Sequence, residues 1–316
     1  MKRRTLTLVA AVAAAALSLT ACGTDSDPGS AGGGTGSSGG TIASQFLFGG
    51  PPEFQTRPDG IPGLKKTYGI DFEGYKVLDT GGPLTVTALK NGQVDAADLF
   101  TTDPAIAANG FVALEDPDSN FAAQNVLPLI NKEKATDGVK EVLNLVSTKL
   151  TTDVLIQLRT DVETNKQDPD TVAKDFLGTL GLPTTTPATG ATIKVGSANF
   201  PENVVLAQIY AEALKAAGAT VTTQLNIGSR ETYIPALEDG SIDLIPEYSG
   251  TLLQYFDKTA TATSSDDVFA ALPAALPATL TVLDQSEAQD ADAVVVTKET
   301  ADKYSLKTIA DLAKTP

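Results

Sequence analysis

The sequence has no histidine and a single cysteine in 316 residues. Without histidine, the commonest general base and the commonest neutral metal ligand are both missing. Ser-His-Asp and Cys-His catalysis are excluded, and a zinc site would have to be built from carboxylates alone. A lone cysteine cannot close an internal disulfide. Positive charge is also scarce: 23 Lys and Arg stand against 39 Asp and Glu, a net charge of −16. No basic patch offsets the repulsion from phosphate under that excess, which argues against a nucleic-acid partner. Acidity of this kind reads mostly as a solvated surface.

The one cysteine has a telling setting. Lys2, Arg3 and Arg4 precede an apolar stretch from Thr5 to Leu19, too short for a comfortable membrane span. Leu19-Thr20-Ala21-Cys22 then has the form of a lipobox. Residues 1–22 are therefore expected to be a lipoprotein signal peptide, with Cys22 as the lipidated residue. The alternative is an ordinary signal peptide with a chance cysteine. A bacterial origin and an extracytoplasmic, membrane-anchored location follow from the first reading. Residues 23–40 are rich in Gly and Ser and lack apolar periodicity, which predicts a flexible tether.

The remainder, roughly 275 residues, exceeds one typical domain and suits two. Apolar runs at Ile193–Val195, Ile242–Ile245 and Ala293–Val296 read as buried strands. Helical spacing runs from Val204 to Leu214 and stops at Gly218. Such alternation predicts an α/β fold with largely parallel sheets.

An internal repeat adds to this. Ala88-Leu89-Lys90-Asn91-Gly92-Gln93-Val94-Asp95 resembles Ala236-Leu237-Glu238-Asp239-Gly240-Ser241-Ile242-Asp243. Glycines upstream match as well: Gly69 and Gly81 in one copy, Gly218 and Gly228 in the other. The repeat predicts two similar lobes facing a cleft; the alternative is the generic likeness of all βαβ units. Ligands in open α/β sheets sit beyond the carboxyl ends of the strands. Phe100-Thr101-Thr102-Asp103 and Glu247-Tyr248-Ser249-Gly250-Thr251 fall at equivalent strand ends. The loops 49–54 and 196–203, the latter with Asn199 and Phe200, belong to the same rim.

These segments resemble a known family. Gly196-Ser197-Ala198-Asn199-Phe200-Pro201-Glu202, Gly228-Ser229-Arg230-Glu231 and Pro246-Glu247-Tyr248-Ser249-Gly250-Thr251 are similar to motifs of substrate-binding proteins of glycine betaine/choline ABC importers. So are Gly49-Gly50-Pro51-Pro52-Glu53-Phe54, Arg57-Pro58-Asp59-Gly60 and Phe100-Thr101-Thr102-Asp103. The resemblance covers residues 42–182 and 192–316. It implies a two-lobed, periplasmic-binding-protein-like type II fold, the Venus flytrap. The order of the segments is the reverse of the family's, so the chain reads as circularly permuted, or as a piece of a tandem duplication. Expected divisions are 41–123 (first part of lobe B), 124–182 (helical part of lobe A), 183–191 (an exposed linker), 192–284 (βαβ part of lobe A) and 285–316 (second part of lobe B). A permuted chain should hold Thr41 near Pro316 and place residues 45–48 in one sheet with 293–296.

The resemblance also implies a site. Relatives hold a quaternary ammonium in an aromatic cage by cation–π attraction, and a ligand carboxylate by an arginine fork. Tyr248 matches a cage tyrosine, Phe100 another ring position, Thr251 a nearby hydroxyl and Arg57 a carboxylate clamp. Thr101, Asn199 and Phe200 complete the expected rim. Two further cage positions fall at Asp292 and Gln124, neither aromatic, and Ala198 stands where relatives often have Lys. Such a depleted cage argues against betaine itself, and a carboxylate at Asp292 favours a cation with little or no compensating negative charge, or one with N–H donors. Simpler roles stand beside these. Tyr248 could pack within its own lobe, Arg57 could pair with Asp59 or Glu53, and Asp292 could be a solvated loop residue. Glu53 and Glu202 read as helix N-terminal charges rather than a catalytic pair. The implied function is solute capture for an ABC permease and ATPase, with no catalytic residue, cofactor or metal. The alternatives are an exported sensing module or a receptor for another amine or amino-acid-like solute.

Overall fold

A computed structural model describes residues 40–181 and 185–316. The signal-peptide and lipidation expectations, Cys22 included, lie outside the described residues, as do nearly all of the tether and linker positions 183 and 184. Among the described residues the strands are β1 (Leu47–Gly50), β2 (Gly74–Val77), β3 (Ala96–Phe100), β4 (Val112–Ala113), β5 (Val126–Asn131), β6 (Thr192–Gly196), β7 (Thr220–Gln224), β8 (Leu244–Tyr248), β9 (Leu280–Val282) and β10 (Asp292–Val296).

They form two five-stranded sheets, ordered β2-β1-β3-β10-β4 and β7-β6-β8-β5-β9. In each, three mutually parallel strands are followed by a fourth that is antiparallel to both of its neighbours, so only β10 and β5 run against the other four. The predicted repeat is thus a repeat of topology. Its closing acids do the same work twice. The Asp95 N–H donates to the Leu47 carbonyl at 2.9 Å, and its carboxylate accepts the Leu47 N–H at 2.8 Å. Asp243 makes the same pair of bonds with Lys194, both at 2.8 Å. Each acid clips the first strand of its βαβ unit, Asp95 at the first residue of β1 and Asp243 at the middle residue of β6. Gly92 and Gly240, at φ +64° and +76°, make the left-handed turn leading into that clip.

Side chains alternate between two cores on either face of each sheet. In β10, Val294 and Val296 join one cluster and Ala293 and Val295 the other. In β5, Val126 and Ile130 face the helices 137–147 and 201–216, whereas Leu127 and Leu129 face the opposite layer. Two crossovers join the lobes, residues 114–125 between β4 and β5 and residues 283–291 between β9 and β10. They run antiparallel to one another at Asn125 and Gln289, and Asp290 N–H donates to the Gln124 carbonyl at 3.1 Å. The result is a two-lobed, periplasmic-binding-protein-like α/β fold.

Several expectations need adjustment. The first strand is Leu47–Gly50, with a 3₁₀ turn over Ala43–Gln45, and β3 separates it from β10 in their shared sheet. The Ile42 N–H donates to the Lys314 carbonyl at 2.8 Å, so the two segment ends meet. The helical pattern over 308–314 is a 3₁₀ helix, Ile309–Ala313, with a Thr308/Asp311 capping box. The connector after Gly181 is not wholly exposed. Ala188 is buried and donates its N–H to the Ala217 carbonyl at 3.0 Å. The Pro187 carbonyl lies 1.9 Å from where a Cβ on Gly138 would sit, so any other residue there would push it off the helix. No helix begins at Glu53, because residues 51–57 are turns, so its expected helix N-terminal role does not hold. Glu202 does lie in the first turn of the helix Pro201–Ala216.

Candidate ligand-binding site

A cavity of about 540 Å³ lies between the two sheets at the carboxyl ends of β3 and β8. Local chemistry fixes its rims. On the second-sheet side, Asn203 accepts the Ala198 N–H at 2.8 Å and donates to the Pro246 carbonyl at 2.9 Å. One side chain therefore ties the loop bearing Asn199 and Phe200 to β8. Pro246 lies opposite Pro128 in the β5–β8 pair. Neither proline has an N–H to give, so this must be a non-hydrogen-bonded position of the ladder. On the first-sheet side, Tyr75 donates to the Pro51 carbonyl at 2.6 Å and Asn120 to the Asp59 carbonyl at 2.7 Å, pinning the loop that bears Arg57. Gly60 has the Phe54 carbonyl 2.0 Å from a Cβ position, so only glycine closes this loop.

Of the expected residues, Tyr248, Phe100, Arg57, Thr251, Asn199, Phe200, Asp292 and Gln124 all line this cavity. Thr101 does not. It is exposed, and its hydroxyl accepts the Ala291 N–H at 3.1 Å on the crossover. Its neighbour Thr102 is the buried one of the pair, in the turn after β3, with its hydroxyl on Glu202 and Asp290. Phe100 and Tyr248 do not face each other directly. Phe200 stands between them, 5.5 Å from Phe100 and 6.0 Å from Tyr248 by ring centroids, and the three rings form a ladder across the lobe boundary.

Charge is concentrated on three buried groups of residues. The first surrounds Arg57, whose guanidinium lies 2.8 Å from Asp59 and 2.5 Å from Asp292. These are close ion pairs whose angles fall outside hydrogen-bonding geometry. Burial would pull this guanidinium's pKa down, but Asp292 and Asp59 hold it above the ordinary value. The arginine and the aspartate expected at opposite ends of a ligand are thus partners of each other. Asp292 is not a solvated loop residue; it opens β10 and is 5 % exposed. Beside it, Asp98 is 2 % exposed in the middle of β3. Burial and the facing Asp292 carboxylate push the Asp98 carboxyl well above the usual range.

The second group opposes the first. Arg230 grips Glu247 through Nε (3.0 Å) and Nη2 (2.8 Å) and also donates to the Thr251 hydroxyl at 2.6 Å. Tyr233 donates to Glu247 at 2.7 Å. Gln124 accepts the Thr251 N–H at 3.0 Å through Oε1, while its Nε2 has no partner. With its amide nitrogen turned toward the first sheet, Gln254 donates to both Asp59 oxygens at 3.2 and 3.1 Å, across the cleft.

The third group lies beneath the aromatic ladder. Tyr248 donates to Glu202 at 2.6 Å, so it packs in its own lobe and lines the cavity at once. Glu202 also accepts from the Thr102 hydroxyl at 2.8 Å, and Asp290 accepts the Thr102 N–H at 3.1 Å. Arg159, 1 % exposed, donates to the Thr102 hydroxyl at 2.9 Å and to Glu163 at 2.6 Å. Burial and Glu202 push the Asp290 carboxyl well above its ordinary value.

The sequence reading missed Asp59, Asp98, Arg230, Glu247, Asp290 and Arg159. Asp98 carried a visible signal, a carboxylate inside the apolar run Ala96–Phe100. Asp59 showed only as a possible partner of Arg57 two positions away, and the other four carried no signal of their own.

A cleft between two sheets of one topology, floored by crossovers and lined by aromatic and charged groups, defines a two-lobed solute-binding protein. The sequence matches, over residues 40–179 and 191–316, the family described as the substrate binding domain of ABC-type glycine betaine transport systems, and the chain belongs to that family. It is 30% identical over 142 residues to the ergothioneine transport permease/ergothioneine binding protein EgtU of Helicobacter pylori, covering 44% of this chain and 25% of that one. It is 30% identical over 136 residues to a glycine-betaine-binding protein of Pseudomonas aeruginosa, covering 42% and 44%. The chain thus spans less than half the length of these relatives. A solved structure of an ancestral arginine-binding protein bound to arginine is 14% identical with a TM-score of 0.44, covering 85% of this chain and 92% of that one.

Proposed function

We propose that this chain is the extracytoplasmic solute-binding component of an ABC importer. It captures a small cationic or zwitterionic, osmoprotectant-like solute of the glycine betaine/choline class and presents it to a permease with its ATPase. A lipid on Cys22 would hold it at the membrane, and its activity is capture and release rather than catalysis. The observation that carries this reading is the lining of the inter-lobe cavity. A ladder of three rings from both lobes stands beside the buried carboxylates Asp59, Asp98 and Asp292, with Arg57 the basic side chain between them. Cations are attracted to ring faces and to carboxylates alike. Exclusion of water between two lobes strengthens both attractions, and lobe closure is the shape change a permease can read.

The test is thermal unfolding with glycine betaine, choline and carnitine. A solute that binds only the folded state raises the midpoint, by about 2.7 kcal/mol of stability at a hundredfold excess over Kd. Tyr248→Ala should weaken binding by about 1–3 kcal/mol, through lost cation–π attraction and lost packing. No shift with any small cation or zwitterion would sink the solute reading. Equal release of wild type and Cys22→Ser into the soluble fraction would sink the anchor.

A further inference from the structure

The proposed function leaves the chemical form of the cation open, and the first-sheet wall of the cavity narrows it. Four acidic side chains, Glu53, Asp59, Asp98 and Asp292, line that wall with one basic side chain, Arg57. Across the cleft Arg230 is gripped by Glu247, and Lys258 lines the cavity together with the oppositely charged Glu231. Asp98 and Asp292 are 2 % and 5 % exposed, and Oδ1 of each lacks any donor from the rest of the protein. They sit on the same face of adjacent antiparallel strands, because Phe100 pairs with Asp292 and Asp98 with Val294. Two facing buried carboxylates cannot both be ionised with nothing between them. A proton between them would relieve the repulsion, and burial together with the Asp292 charge raises the Asp98 carboxyl well above its ordinary value. Arg57 and Asp59 from the loop after β1 also face this pair, and the field of Asp98 reaches the Tyr75 hydroxyl of β2.

We propose that the wall is a receptor for an N–H-bearing cation, with Asp98 and Asp292 as the residues that select a protonated amine over a quaternary ammonium. An ammonium N–H can replace the shared proton and donate to both orphaned oxygens. A trimethylammonium group has no hydrogen to donate and would leave those acceptors desolvated and unpaired. The rings agree with this. Phe100, Phe200 and Tyr248 lie against one another in one ladder across the lobe boundary, each spending part of its surface on its neighbour, rather than boxing in a methylated cation. A separate observation sets the other end of the solute. Gln124 is 1 % exposed and lines the same cavity, its Oε1 is occupied by Thr251, and its Nε2 donor is unpartnered. It calls for an oxygen acceptor, so the solute is an amino alcohol or amino acid rather than a simple amine.

This inference rests on the solute-binding reading above, and a methylation series separates the two. Calorimetry on the full chain would compare ethanolamine, its mono- and dimethyl forms and choline, and likewise glycine through glycine betaine. Affinity should fall with methylation, by about tenfold or more at loss of the last N–H. Binding of ethanolamine at pH 7 should release a proton to buffer, seen as an enthalpy that changes with the buffer's ionisation heat, whereas choline should release none. Asp98→Asn should abolish that proton release. Asp292→Asn should weaken ethanolamine and leave choline within about twofold. Tighter binding of choline and betaine than of their N–H forms would overturn the inference and leave the solute reading intact. Absence of heat from every member of both series would overturn both. Should either variant fail to fold, the wild-type series and its proton release decide alone.

Discussion

At the scale of single residues, acid chemistry dominates the cavity. Asp98 and Asp290 are both raised well above their ordinary value of 3.8, burial being the first cause and a neighbouring carboxylate the second. A carboxyl whose folded-state value exceeds its unfolded value binds protons more tightly when folded. Its contribution to stability is fully present below the unfolded value and is lost as pH rises through the folded one. Ligand-free protein should therefore melt higher as pH falls from 8 toward the ordinary carboxylate range. Asp98→Asn removes one of the two groups and keeps its neutral shape. It should raise the melting point at pH 8 by a few degrees and flatten the slope, read by scanning calorimetry across pH. A melting point that falls on mild acidification, with the same slope in Asp98→Asn, would mean that Asp98 is ionised in the folded protein.

At the scale of elements, what was legible was local. The two βαβ units show in the sequence because a helix end, a left-handed glycine and a clipping aspartate lie within eight residues of each other, at 88–95 and 236–243. Strand ends followed from that, and with them Phe100 and Tyr248. Thr101 was misplaced because the chain turns directly after Phe100 and buries Thr102 in its stead, a matter of turn geometry that composition cannot resolve. Arg57 shows the limit in one side chain. Its bond to Asp59 is readable two positions along, whereas its bond to Asp292 depends on β10 returning beside β3. Arg159 is the extreme case. A buried guanidinium in the helix Thr152–Arg159 reads from sequence as a solvated helix end, yet it contacts Thr102 and Asp103 of the other lobe and Glu163 of its own. Such a group is held only by partners the chain brings from afar, since the desolvation of a lone buried charge is prohibitive.

At the scale of the whole molecule, chain order is the question the fold makes testable. We infer that the segments are permuted relative to the family, and the support lies in how the described ends meet. The Ile42 N–H bonds to the Lys314 carbonyl, and β1 and β10 share a sheet although they come from opposite ends of the sequence. Permutation is tolerated where ends are close and exposed. A reordered chain should then fold alike: begin at Thr192, run to Pro316, pass through a short Gly/Ser joint to Ile42, and finish at Leu180. Closing a short flexible joint costs on the order of 2 kcal/mol, and opening the connector between Leu180 and Thr192 returns a similar amount. The asymmetry is the loss of the connector's contacts: Ala188 buried against the helical layer, its N–H on the Ala217 carbonyl, and the Ala191 carbonyl that accepts the Thr220 N–H. The reordered protein should therefore unfold cooperatively within a few degrees of the original and keep its affinity for whichever cation the original binds. Urea unfolding and calorimetry on the two chains side by side check this. A reordered chain that stays unfolded, or folds without binding, would show that the connector is part of the lobe rather than a joint between former termini.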